Sequence, residues 1–237
     1  MGEPVERVRH VGRPEGGPGP AATARGLAAV AAHGVVPVVR FGSSDRARRA
    51  IALLRRAGFR TFEVTLTVPG AVELIAELAR DPELLLGVGT VLDPADADRA
   101  IAAGARYVVS PVLLPGLAPR CREAGVPCLL SGLTPSEVHA AWSAGADAVK
   151  VFPASSMGGP DHLRALRSVL PQVPLVPTGG VSLALLPAYL DAGAAFVGVG
   201  GDLLADRDLD RCDPEDLVAR ARRFLDAYRA HRSLEAP

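Results

Sequence analysis

Short runs of β-branched and aliphatic residues alternate along this chain with longer alanine- and arginine-rich stretches whose apolar positions recur at helical spacing. Eight runs stand out: Val35 to Arg40, Thr61 to Leu66, Leu84 to Val88, Tyr107 to Ser110, Val126 to Leu130, Ala148 to Phe152, Pro174 to Pro177 and Ala195 to Val199. They recur roughly every two dozen residues, the rhythm of parallel strands joined by crossover helices. In the first intervening stretch Ala47, Ile51, Leu54 and Ala57 share one helical face and arginines occupy the other, where they are solvated. Five helical stretches close on Ala-Gly, at Ala57-Gly58, Ala103-Gly104, Ala124-Gly125, Ala144-Gly145 and Ala192-Gly193. Glycine there supplies the left-handed residue that ends a helix. The pattern predicts an α/β fold, a single (β/α)8 TIM barrel.

Length and composition agree with that reading. A chain of 237 residues is close to the about 250 of one such barrel. It is 49% hydrophobic but only 4% aromatic, so its core must be built from Ala, Val and Leu, which suits close packing of helices on a sheet. Ahead of the first helix, Pro14-Glu15-Gly16-Gly17-Pro18-Gly19-Pro20 offers no apolar surface to bury. Residues 1–24 therefore read as a disordered Pro/Gly-rich tail and residues 25–237 as the barrel.

Charge and special residues narrow the function. The 26 basic and 26 acidic residues cancel, and no arginine-rich block is interleaved with aromatics, which argues against a nucleic-acid partner. No run approaches the about 18 apolar residues of a membrane span, and the start has no signal-peptide core, so a cytoplasmic protein is expected. Cys121, Cys128 and Cys212 are odd in number and lack paired spacing, as reduced thiols do. The five histidines are equally scattered, so no protein metal cage is visible.

Against this background Lys150 is unusual. It is the one lysine beside 25 arginines, and it sits inside the apolar run Ala148-Val149-Lys150-Val151-Phe152. A desolvated lysine can lose its proton and attack a carbonyl, which arginine cannot do. Glu63 is the second charge inside a strand: alternation along Thr61-Phe62-Glu63-Val64-Thr65-Leu66 sets Phe62, Val64 and Leu66 toward the helices and Glu63 toward the barrel interior. By the same alternation Lys150 shares a face with Ala148 and Phe152. If that face also points inward the two charges meet, either as a structural ion pair or as the amine and proton carrier of Schiff-base chemistry on a 2-oxo acid.

Other candidates lie at strand ends, where a barrel builds its active site. Arg40 ends the first run and could clamp a carboxylate or simply be solvated. Thr90 follows Gly87-Val88-Gly89, and Pro111 follows Ser110 at the pocket mouth. Thr178-Gly179-Gly180 and Gly200-Gly201 follow the seventh and eighth runs, the two loops that commonly hold a phosphate in barrels. Asp202 opposes a phosphate there unless it turns away as a helix cap.

Taken together, Glu63-Val64-Thr65-Leu66, Gly87-Val88-Gly89-Thr90-Val91-Leu92, Ser110-Pro111, Lys150-Val151-Phe152-Pro153-Ala154 and Pro177-Thr178-Gly179-Gly180-Val181 appear in order. Over about residues 25–230 the chain resembles the 2-keto-3-deoxy-6-phosphogluconate/4-hydroxy-2-oxoglutarate aldolase family. The resemblance implies a class I aldolase, with no metal or other cofactor, that takes a sugar acid or pyruvate as its small-molecule partner and assembles as a homotrimer. By motif it implies Lys150 as the Schiff-base residue and Glu63 as the acid/base. It sets Arg40, Thr90, Pro111 and Phe152 around the pyruvyl group, and Thr178, Gly179, Gly180, Gly200 and Gly201 near the distal end. Two positions depart from the gluconate pattern: Thr67 stands where those enzymes commonly carry arginine, and Gly200-Gly201-Asp202-Leu203 where they often carry a serine. With the Lys-Val-Phe-Pro-Ala-Ser-Ser run, the second departure looks more like the related 6-phosphogalactonate aldolases, so the substrate stays open. A phosphate-binding isomerase or synthase, or a noncatalytic sugar-acid-binding barrel, would explain the glycine loops but give the lysine and glutamate no task.

Overall fold

The computed structural model describes residues 20–235; the first nineteen residues, most of the stretch assigned above to a tail, lie outside it. Eight parallel strands form one sheet: β1 (Val35–Val39), β2 (Thr61–Thr65), β3 (Leu85–Gly89), β4 (Tyr107–Val109), β5 (Cys128–Ser131), β6 (Ala148–Val151), β7 (Leu175–Pro177) and β8 (Val197–Val199). Their spatial order is 7-6-5-4-3-2-1-8, and a Thr178–Gly198 bridge brings the outer two together. The result is a nearly closed (β/α)8 barrel, as the hydrophobic rhythm predicts. Each strand lies within two residues of its expected bounds.

Helices α1 (Pro20–Ala31), α2 (Ser44–Ala57), α3 (Ala71–Leu78), α4 (Pro94–Ala102), α5 (Leu117–Glu123), α6 (Pro135–Ser143), α7 (Pro160–Val169), α8 (Leu186–Asp191), α9 (Asp208–Arg211) and α10 (Pro214–Glu235) surround the strands. On α2 the expected face of Ala47, Ile51, Leu54 and Ala57 is buried, and Ser43 caps the helix by accepting a hydrogen bond from the Arg46 N–H. All five glycines of the Ala-Gly repeats have positive φ, between 71° and 110°. The main core lies between sheet and helices and takes the outward strand residues, among them Val39, Phe62, Val64, Val88, Leu130 and Val149.

The inward residues form a second cluster of Val36, Tyr107, Val109, Leu129, Ala148, Val176 and Phe196. Helix α1 closes the N-terminal end of the barrel by adding Val30, with Leu27 and Ala31 packed beside it. It is tied down by Thr23, whose Oγ1 donates to Asp147 Oδ1 at 2.8 Å, while Asp147 Oδ2 accepts the Cys128 N–H at 3.0 Å. Residues 20–24, read from composition as part of the tail, thus belong to α1.

Candidate active site

Glu63 is the third residue of β2, and Lys150 the third of β6, on opposite walls of the barrel. Both side chains point inward, as the alternation of buried Phe62 and Val64 into the outer core requires. They meet there: Lys150 Nζ donates to Glu63 Oε1 at 3.2 Å, with only 5% and 4% of the two residues exposed. Such a pair loses most of its hydration, and replacing a buried ion pair by apolar residues is often neutral or stabilising. Stability alone therefore gives the chain little reason to keep these two charges.

The surrounding strands are shaped to hold them. Gly89 on β3 leaves room for the carboxylate, because a Cβ at that position would fall 2.1 Å from Glu63 Oε1 and 2.6 Å from its Cγ. Gly87, one inward step below, is filled by the Tyr107 ring in the same way. The Tyr107 hydroxyl shares a 3.2 Å hydrogen bond with Thr61 Oγ1, and burial pushes its pKa up, so it stays a neutral hydrogen-bonding floor below Glu63. Ser131, in register with Lys150, donates its Oγ to the Lys150 carbonyl at 2.9 Å. The Phe152 ring, 37% exposed at the mouth, has its centroid 5.4 Å from Lys150 Nζ, within range of a cation–π contact.

The remaining candidates sort into two groups. Arg40 leaves β1 and its Nη2 donates to Thr90 Oγ1 at 3.1 Å. Thr90 has φ 59°, a left-handed conformation that costs a β-branched residue about 1–3 kcal/mol and aims its hydroxyl at the arginine. Pro111 is half-buried in the turn closed by the Val112 N–H donating to Ser110 Oγ. On the other side of the mouth, the Thr178 side chain fills the space left by Gly198, and Gly179 lies against the Phe152 ring. Gly180 lies under Ser155, while Gly200 and Gly201 open to solvent. The structure thus brings Lys150, Glu63 and Phe152 together, joins Arg40 to Thr90, and sets the β7 and β8 loops side by side.

Sequence reasoning missed Ser131 and the seat that Gly89 gives to Glu63. A serine at a strand end carries no signal of its own, but the inward parity of Gly89 was available. Two surface cavities, of 390 and 420 Å³, lie elsewhere: one at the N-terminal ends of β7 and β8 beside Arg167 and His231, the other beside Leu66 and Val68. Neither is lined by Lys150 or Glu63, so the chemistry and not the cavity size locates the site. Among the described residues no three His, Cys, Asp or Glu side chains converge to hold a metal ion.

A buried amine against a carboxylate, at the carboxyl end of a barrel, is also where comparison with known proteins leads. Residues 28–219 match the family described as "Aldolase: KDPG and KHG aldolase". The chain belongs to the KDPG and KHG aldolase family. It is 38% identical over 160 residues to the 2-dehydro-3-deoxy-phosphogluconate aldolase of Treponema pallidum, covering 66% of this chain and 75% of that one. It is 33% identical over 190 residues to the KHG/KDPG aldolase of Escherichia coli K12, covering 80% and 89%. Among solved structures, the KDPG aldolase of Legionella pneumophila, with pyruvate captured as a covalent carbinolamine intermediate, superposes with a TM-score of 0.74 at 28% identity, covering 85% of this chain and 97% of that one.

Proposed function

We propose that this KDPG/KHG-family protein is a pyruvate-releasing class I aldolase whose Schiff base forms on Lys150. The substrate is a 2-keto-3-deoxy-6-phospho sugar acid or 4-hydroxy-2-oxoglutarate, the aldehyde product being glyceraldehyde 3-phosphate or glyoxylate. The observation that carries the reading is the buried 3.2 Å contact between Lys150 Nζ and Glu63 Oε1. The neutral amine adds to the C2 carbonyl of the 2-oxo acid, and Glu63, directly or through water, moves the proton that lets the carbinolamine lose water. The protonated imine then takes the electron pair of the breaking C3–C4 bond while the C4 hydroxyl gives up its proton and the aldehyde leaves. Protonation of the enamine at C3, again by way of Glu63, and hydrolysis release pyruvate and restore the lysine.

Arg40, held by Thr90, takes the substrate carboxylate in this reading, with Pro111 and Phe152 packing the pyruvyl group. Thr178, Gly179, Gly180, Gly200 and Gly201 face the distal end. A cytoplasmic location fits three free cysteines and the absence, among the described residues, of any helix long and apolar enough to cross a membrane. Homotrimeric assembly is the family expectation. It is supported by apolar Leu92, Val112 and Leu113, exposed on neighbouring loops after β3 and β4, and light scattering on the purified protein tests it. The activity is tested by coupling pyruvate release to lactate dehydrogenase in the presence of a chelator. Wild type should release pyruvate and folded Lys150→Arg none; appreciable release by that variant would remove Lys150 from the mechanism.

A further inference from the structure

We infer that Thr67 is a substrate-binding residue of this site, holding the C4 hydroxyl of the 2-oxo acid through a lone pair of its Oγ1. The inference rests on the aldolase reading above and adds to it a contact to the half of the substrate that leaves as aldehyde. Thr67 lies two residues past the end of β2 and is exposed. Its Oγ1 stands 2.8 Å from Oγ1 of Thr65, which is fully buried. Thr65 is the next inward position after Glu63 on β2, one step nearer the mouth. That contact places the Thr67 hydroxyl on the wall above Glu63, at the carboxyl end of the strand where a barrel receives its substrate.

Counting protons fixes the direction of the hydrogen bonds. A hydroxyl has one proton to donate and two lone pairs. Thr65 Oγ1 donates to the Val39 carbonyl at 3.0 Å, an oxygen that can only accept. Its proton is used there, so in the 2.8 Å contact Thr67 is the donor and Thr65 the acceptor. The Thr67 proton is thereby spent as well, and what it offers at the mouth is a lone pair. The pyruvyl half of the substrate, C1 to C3, brings a carboxylate and a ketone but no donor. The first donor beyond it is the C4 hydroxyl, which 2-keto-3-deoxy-6-phospho sugar acids and 4-hydroxy-2-oxoglutarate have in common. Val39, which ends the relay, is paired with Val64 of β2 and followed by Arg40, whose guanidinium only donates. Acceptor and donor therefore stand side by side on β1 and β2, one suited to the hydroxyl and the other to the carboxylate. Holding the hydroxyl limits rotation about C2–C3, which decides whether the C3–C4 bond overlaps the imine as it breaks.

The test uses the full chain and two reactions. One is cleavage of 2-keto-3-deoxy-6-phosphogluconate, its galactonate epimer and 4-hydroxy-2-oxoglutarate, followed by pyruvate release. The other is exchange of the pyruvate C3 protons in D2O, which needs the Lys150 imine and proton transfer but involves no C4 hydroxyl. Thr67→Val keeps the shape of an exposed side chain and removes its oxygen, whereas Thr67→Ser keeps the oxygen. In Thr67→Val, kcat/KM for cleavage should fall by about tenfold while exchange stays within about twofold of wild type, and Thr67→Ser should restore cleavage. Unchanged cleavage in Thr67→Val overturns the inference, as does a parallel loss of cleavage and exchange. A lowered melting temperature with both rates intact would make the Thr67–Thr65 pair a brace for the turn and overturn it equally. Wild type that cleaves none of the three substrates removes the aldolase reading beneath it.

Discussion

The floor and the mouth of this barrel are built by the same eight strands from the same inward-facing positions, yet they are filled in opposite ways. On the floor, Val36, Leu129, Ala148, Val176 and Phe196 cluster with Val30 of α1, and among the described residues the Tyr107 and Thr61 hydroxyls there share a hydrogen bond. At the mouth, one or two residues further along the strands, stand Glu63, Lys150, Ser131 and Thr178, with Gly89 and Gly198 giving up side chains to make room. Close-packed apolar side chains supply folding energy without regard to chemistry. Buried charges supply chemistry at the expense of folding energy. The difference teaches that the floor can be altered at the cost of stability alone, and the mouth at the cost of turnover.

Substitutions on each level sharpen that contrast. At the mouth, Glu63→Gln keeps the shape of the side chain but removes its capacity to carry a proton, so kcat of the folded protein should fall by about two to four orders of magnitude. On the floor, Leu129→Ala empties a site that is 1% exposed. It should lower stability to urea by about 2–5 kcal/mol and leave kcat of the folded protein within about twofold. If Leu129→Ala instead abolished turnover in folded protein, the separation of the two levels would fail.

A smaller effect comes from Gly89→Ala, which belongs to both levels. The added Cβ must displace the Glu63 carboxyl, from which it would otherwise stand 2.1 Å away. We expect kcat to drop by at least about tenfold with KM little changed, since the proposed proton carrier moves but the residues proposed to bind the carboxylate do not. A pure KM effect would mean that Gly89 serves the approach of substrate and not the seating of Glu63.

Much of the architecture is readable in the sequence because strands of a parallel barrel are buried on both faces and stand out as short apolar runs. Their ends are less readable. β8 begins at Val197 and not at Ala195, because its pairing starts where Val35 of β1 supplies a partner, a fact of register that no local pattern encodes. The docking of α1 rests likewise on a distant partner, since Thr23 bonds Asp147 more than a hundred residues away. Lys150 and Glu63 are legible for a different reason: a charge inside an apolar run is costly enough to demand an explanation. Their meeting followed from alternation on each strand plus closure of the barrel. Ser131 and the positive φ of Thr90 were not legible, since one depends on the neighbouring strand and the other on a turn that β-branched residues ordinarily avoid.

Borohydride reduction in the presence of pyruvate, read by intact mass and peptide mapping, tests the central claim most directly, because Lys150 is the only lysine of the chain and its N-terminal amine the only competing primary amine. The account predicts one stable adduct, mapped to the peptide that contains Lys150 and missing from Lys150→Arg. Folded wild-type protein that forms no adduct, or one only at the N-terminal amine, would contradict it.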